Sequence, residues 1–567
     1  MAERTDDPVS APAPPALAPW RGVLLPCVVV VAACAPFLDR AFHVDDPLFL
    51  WAAQQIVEAP LDPYGFEVNW YGWAMPMAEV TKNPPLACYL AAGAGALVGW
   101  SERALHAAFL APLLAAVLGI FALARRLTAW PVMATLAAVL TPAFLVSGAS
   151  VMCDTTMLAF WVWSLALWDR GLTEERPASL WAAAGLAALG ALTKYFAVAL
   201  LPLLLVWALA RRASVRRWAL PLLLPVLVLL AYQLVTASLY GRGLLLDAAA
   251  YATDRQPQDA GALAGQLLAG LAFTGGCVAS ALFLGPVVLR RGQLWIPIVV
   301  AAVLAGVLIA GAGPELPGDR ASTLSAGALA QVALWSAVGV GVLLLAIHDL
   351  RVTREPAALL LLLWVGGTLV FASWVNWTVN GRSVLPLVPA VGILLARAGE
   401  RWGARERPVA LALSAAGALA FAVTWADGRL ADSARDAARE LVEYQGLVGS
   451  HGEEPGRLTF QGHWGFQHYA QEAGLAPLAL DRDRLEPGDR VVLPGNNTNV
   501  HPLPDTHGAV VGTLRMPVPS FLSTLSREAG AGFHSSTWGP LPFAFGAVED
   551  ELYEVWEVSR ALQLRRR

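Results

Sequence analysis

Five places along the chain put acids or bases beside apolar runs. The first is His43-Val44-Asp45-Asp46-Pro47. A carboxylate of this pair can take a proton from an acceptor hydroxyl while its neighbour orients it or shares a metal. Asp before Pro at a helix start reads equally as an N-cap, and the residues alone leave both readings open. The second is Thr81-Lys82-Asn83-Pro84-Pro85. Its Pro-Pro pair stiffens the approach to a helix, and Lys82 is placed either to meet a phosphate or to snorkel to the headgroups. The third is Asp154, which opens an apolar run in Cys153-Asp154-Thr155-Thr156, as a cap or as part of a site. Lys194, in Leu192-Thr193-Lys194-Tyr195, and Arg382, in Asn380-Gly381-Arg382-Ser383, stand at the ends of apolar runs. For both, an interfacial anchor and a phosphate ligand are the alternatives. Acids and cations gathered at one depth near headgroups suit a reaction on a lipid-linked phosphate. The acid activates the acceptor and the cations stabilise the phosphate that leaves.

The elements that must position these residues are membrane spans. The chain is 57% hydrophobic and only 14% charged. Its apolar blocks run to roughly 17–22 residues, enough to cross a hydrocarbon core of about 30 Å. Spans are expected at 21–38, 104–124, 131–148, 152–168, 178–193, 196–210, 217–236, 263–289, 293–312, 327–347, 356–373, 383–398 and 408–425, about thirteen in all. With residues 1–19 read as a disordered cytoplasmic N-terminus and the spans alternating, the inner turns hold Arg125-Arg126, Arg170 with Arg176, Arg211-Arg212 with Arg216-Arg217, Arg290-Arg291, Arg351 with Arg354, and Arg397 to Arg407. That is the positive-inside pattern, and it places all five segments outside the cytoplasm. The domains follow: a transmembrane part over 20–425, whose first outer loop, 39–103, carries two interfacial helices near 46–57 and 86–97, and an extracytoplasmic α/β domain over 426–567.

Other chemistry finds little support. The net charge is −4 and no basic patch of the kind nucleic acid requires is present. The five cysteines form no CxxC pair, so zinc and redox motifs are absent from the sequence. His463 and His468 are five apart and share no helical face, so with His501 and His507 they read as surface or packing residues. Asn496-Asn497-Thr498 matches a glycosylation sequon that nothing else in the sequence supports.

The ordered series Asp45-Asp46, Lys82-Asn83-Pro84-Pro85-Leu86, Cys153-Asp154-Thr155, Leu192-Thr193-Lys194 and Arg382 to Pro389 resembles the membrane glycosyltransferases of the GT-C fold. The branch is that of protein O-mannosyltransferases and the lipid A aminoarabinose transferase, and the likeness covers about residues 20–425. Asn83 before Pro-Pro and Gly381-Arg382-Ser383 depart from the family's usual residues. The resemblance implies an inverting transfer of a sugar from a polyprenyl-phosphate donor on the extracytoplasmic face of a bacterial inner membrane. Asp45 is then the general base, Asp46 its support, Asp154 a cavity residue, and Lys82, Lys194 and Arg382 the donor-phosphate ligands. Some relatives use a divalent cation such as Mg or Mn and others do not, which leaves one at Asp45 and Asp46 open. The acceptor, whether protein, lipid or glycan, is not specified. A transporter or flippase for lipid-linked sugars and an assembly protein presenting the tail are the competing readings. A transporter predicts inverted repeats and charges at the bilayer midplane, and the sequence shows neither.

Overall fold

The computed structural model describes residues 19–254, 259–449 and 456–564. The expected N-terminal segment therefore lies almost wholly outside the described residues. The rest is a bundle of apolar helices with a strand-rich unit at one end.

Each expected span falls on helix, but the helices are not thirteen equal spans. Among the described residues nine are long and apolar enough to cross a membrane, or ten if a bent pair counts as one. That pair is Pro131–Val139 and Pro142–Gly148, which meet at 67°. Pro142 ends one helix and starts the next, and the Thr141 side chain accepts from the Phe144 N–H to cap the second. The 178–210 region is likewise two short pieces, Pro177–Thr193 and Tyr195–Ala210, broken at an extended Lys194. The expected span at 152–168 is helix Asp154–Thr173, which carries Asp154, Asp169 and Arg170. The expected runs that fall outside these nine or ten are shorter, bent or more charged helices, among them Pro177–Thr193, Tyr195–Ala210 and Asp154–Thr173.

Burial sorts the helices. Helix Arg291–Ile309 exposes Trp295, Ile296, Ile298, Val299 and Val303, the surface a lipid-facing helix presents. The segment Gly381–Trp402, which Arg382 opens, is buried along most of its length at the centre of the bundle. The arginine-rich turns meet at one end. Asp169 accepts from Arg126 Nε at 2.5 Å and from Arg211 at 2.7 Å, and Arg397 donates to the Leu127 carbonyl at 2.9 Å and to Asp349 at 2.9 Å. Two short helices, Asp46–Glu58 and Leu86–Val98, pack together at the opposite end, as expected of the first outer loop. A hairpin, Glu67–Asn69 with Ala74–Pro76, joins them there.

The last helix runs from Glu406 to Gly449 without a break, so it crosses the expected domain boundary at residue 426. Its outer part carries Ala437 and Leu441 into the core of the tail, against Phe460, Phe466, Val492 and Val555. The tail sheet has five strands in the order 476–477, 458–460, 490–494, 551–558, 508–516. The first three are parallel and the rest antiparallel. Helix Trp464–Glu472 follows strand 458–460 along the chain and docks on the first outer loop. Gly465 permits that approach, since a Cβ there would lie 2.2 Å from the Phe42 carbonyl oxygen.

Candidate active site

Asp45 and Asp46 have different surroundings. Val44 just before them holds φ at +47°, a conformation that is strained for a β-branched residue. Asp45 stands at the N-cap of helix Asp46–Glu58, yet its side chain makes no cap hydrogen bond. Its Oδ2 instead accepts from Arg382 at 3.0 Å. Asp46 is fully buried and accepts from the backbone N–H of His43 and of Val151, each at 2.9 Å. Burial pushes its carboxyl up to about 6. Of the two, only Asp45 lines the cavity.

That cavity, of about 760 Å³, lies between the bundle's outer end and the tail. The formally charged side chains lining it are Asp45, Lys82, Lys194 and Arg382. Arg382 is pointed inward by the turn before it. The Asn380 side chain accepts from the Ser383 N–H at 2.8 Å and caps the short helix Gly381–Val384. Gly381 fits because a Cβ there would lie 2.5 Å from the Phe533 ring. Arg382 reaches Met152 Sδ as well as Asp45, and its Nε is buried without a partner.

The other two cations are also held by acids. Lys194 Nζ donates to Asp154 Oδ1 at 2.5 Å, and Asp154 Oδ2 is buried without a partner. Asp154 thus backs the cavity instead of lining it, and its side chain caps no helix. Lys82 Nζ donates to Asp247 Oδ2 and to the Glu79 carbonyl, at 2.7 and 2.8 Å, with the Tyr251 ring 5.2 Å away. It does not snorkel outward. Asp247 carries no motif, and only the fold of helix Leu244–Thr253 brings it to Lys82.

The tail supplies the remaining wall, which sequence reasoning missed. His463 is buried, with its ring nitrogens bonded to Thr498 Oγ1 at 2.8 Å and Asn499 Nδ2 at 3.1 Å. Its ring lies 4.5 Å from that of Trp70 in the outer loop. Burial lowers its pKa to about 3, so it is neutral near physiological pH. His534 also lines the cavity and bonds Asp427 at 2.9 Å. Asp427 in turn holds Arg40 at 2.7 Å and Thr524 at 2.6 Å. His501 and His507 have only partial burial, in keeping with the surface reading, whereas His468 is buried. The sequon asparagine, Asn496, uses its side chain internally, on Leu525, Glu551 and Trp538.

A divalent cation shared by Asp45 and Asp46 does not fit this donor set. Asp46 commits one oxygen to each of two backbone amides, and Arg382 already supplies the positive charge at Asp45.

Residues 82–240 match a family model described as dolichyl-phosphate-mannose-protein mannosyltransferase. This mannosyltransferase-like segment contains Lys82, Asp154 and Lys194; Asp45, Asp46 and Arg382 lie outside it. The matched family is the one named in the resemblance of the ordered motif series, and the match spans 82–240 of the chain. No curated protein matches the chain in sequence. Among solved structures, the chain is similar to the Archaeoglobus fulgidus oligosaccharyltransferase tethered with an acceptor peptide. That match has 14% identity and a TM-score of 0.48, and covers 81% of this chain but 63% of that one. It is also similar to ArnT from Cupriavidus metallidurans bound to undecaprenyl phosphate, with 14% identity and a TM-score of 0.41, over 87% of this chain and 97% of that one.

Proposed function

We propose that the protein is an inverting glycosyltransferase that moves a sugar from a polyprenyl-phosphate donor to an acceptor on the extracytoplasmic face of the membrane. The observation that carries this reading is one cavity lined by one carboxylate and three cations, at the end of the bundle opposite the arginine-rich turns. Asp45 takes the proton from the acceptor hydroxyl as that oxygen attacks the anomeric carbon. The bond from this carbon to the phosphate oxygen breaks, and its electron pair leaves with the polyprenyl phosphate. Lys82, Lys194 and Arg382 stabilise the charge gathering on that phosphate. A single displacement inverts the anomeric centre. Asp154 and Asp247 hold the two lysines in the free protein, and Arg382, bonded to Asp45, ties the base to the phosphate side. No step requires a metal between Asp45 and Asp46. The charges line an outer cavity, which favours transfer chemistry over a transport site at mid-membrane.

The expected outcome is that Asp45→Asn lowers sugar transfer from a polyprenyl-phosphate donor by about 10²–10⁴-fold, with unchanged membrane insertion and melting. Undiminished turnover by that variant would sink the assignment of the base.

A further inference from the structure

We propose that the tail wall of the cavity is a binding site for an uncharged saccharide, and that the acceptor is presented there as a neutral glycan. This rests on the reading of the cavity as a glycosyl-transfer site and names its second substrate class.

The two walls differ in chemistry. The bundle and outer-loop wall carries all four formally charged side chains. The tail wall, contributed by residues from 463 to 538, carries none. It offers aromatic faces and fixed neutral polar groups. Trp464 and Trp538 both line it, with ring centroids 5.2 Å apart and planes 47° from parallel. Trp538 is buried and pinned, its Nε1–H donating to Asn496 at 2.6 Å and the Arg527 guanidinium 4.4 Å from its ring, so it backs the more exposed Trp464 ring. His463 stands 5.2 Å from Trp464, between Thr498 and Asn499. Trp464 is only partly buried and holds a left-handed backbone at φ +66°, so its ring is set by the turn into the tail helix.

Rigid aromatic faces flanked by amide, hydroxyl and neutral imidazole groups match the apolar C–H faces and hydroxyl rims of a sugar ring. A phosphorylated or carboxylated acceptor would find no lysine or arginine among the residues that line this wall. The edge strands of the tail sheet, Ala476–Pro477 and Gly508–Met516, contribute no residue to the cavity, so it offers no open edge for an added peptide strand. Trp70 of the outer loop joins this surface through His463, and both line the same cavity as Asp45.

The test is saturation-transfer NMR on the full chain in nanodiscs with a panel of neutral disaccharides, an acidic disaccharide and a Ser/Thr-containing peptide. The expected result is transfer to ring C–H protons of at least one neutral disaccharide, weakened by roughly 3–10-fold in Trp464→Leu and Trp538→Leu and largely restored in Trp464→Phe. Melting of each variant guards against misfolding. In a second arm, a neutral diglycosyl lipid in the nanodisc is tested for suppression of the disaccharide signal. Suppression assigns a lipid-borne glycan, and its absence a soluble one. No transfer to any neutral sugar, transfer indifferent to both tryptophans, or preferential transfer to the peptide or acidic sugar would overturn the proposal. The readout is saccharide binding without turnover, so failure here is distinct from failure of the base assignment, which is read from transfer by Asp45→Asn.

Discussion

Asp45 and Asp46 are neighbours in sequence with separate duties. Asp45 faces the cavity and Arg382, whereas Asp46 turns inward and ties two backbone amides that are 108 positions apart, those of His43 and Val151. Asp46→Ala would leave both N–H groups buried without partners, at about 1–3 kcal/mol each. Thermal unfolding in detergent should therefore show a clear loss of stability, including in the absence of any substrate. The capping reading of Asp45 and Asp154, open from sequence, is not realised, because both carboxylates go to cations on distant segments. Spacing along the chain identified the residue types but not which oxygen would face which partner.

The long final helix joins two units that hydropathy separates. Its inner part is apolar and its outer part amphipathic, so composition changes near residue 426 while the helix does not stop. The tail sheet closes over it, and Glu551 at the start of strand 551–558 is pushed up to about 7 by burial, with Asn496 as its hydrogen-bond donor. A carboxyl with a raised folded-state pKa contributes stability that is complete below its unfolded value and is lost as pH rises through the folded one. Glu551→Gln keeps an acceptor for Asn496 and removes the ionisation. Its melting temperature should exceed that of the wild type at about pH 8 and converge with it below about pH 5. Equal melting at both would remove Glu551 as the source of any alkaline instability.

The outer loop, the bundle and the tail meet at Asp427, which is fully buried and bonded to Arg40, Thr524 and His534. Arg40 also donates to the Ala149 carbonyl at 3.1 Å. Arg40→Gln takes the permanent cation from the buried Asp427 carboxylate, leaving it Thr524 and His534, and should cost about 3–5 kcal/mol. The double change Arg40→Met with Asp427→Leu should recover a large share of it, as read by denaturant unfolding of the purified protein. Sidedness is testable separately. A reporter fused after residue 564 should be active outside the cytoplasm, because the tail lies at the end away from the arginine-rich turns. Cytoplasmic activity would reverse the proposed orientation.

Hydropathy is local and additive along a chain, so apolar run lengths and loop charges by themselves determined that this is a polytopic helical membrane protein. Residue type and order likewise picked out Asp45, Lys82, Lys194 and Arg382, which the fold brings to one cavity. Three matters were left to the tertiary structure. Whether an apolar run is one straight helix depends on where the chain bends, as the 67° break between Pro131–Val139 and Pro142–Gly148 shows. The partners of the cations, Asp247 above all, come from segments with no motif, and the Arg382–Asp45 contact spans 337 positions. The aromatic wall of the tail was not legible because the fold of the tail alone brings Trp538 to Trp464, and docking on the first outer loop adds Trp70 beside His463. Pairing across such distances has no periodicity to read, since it is set by packing of surfaces and not by the spacing of residues.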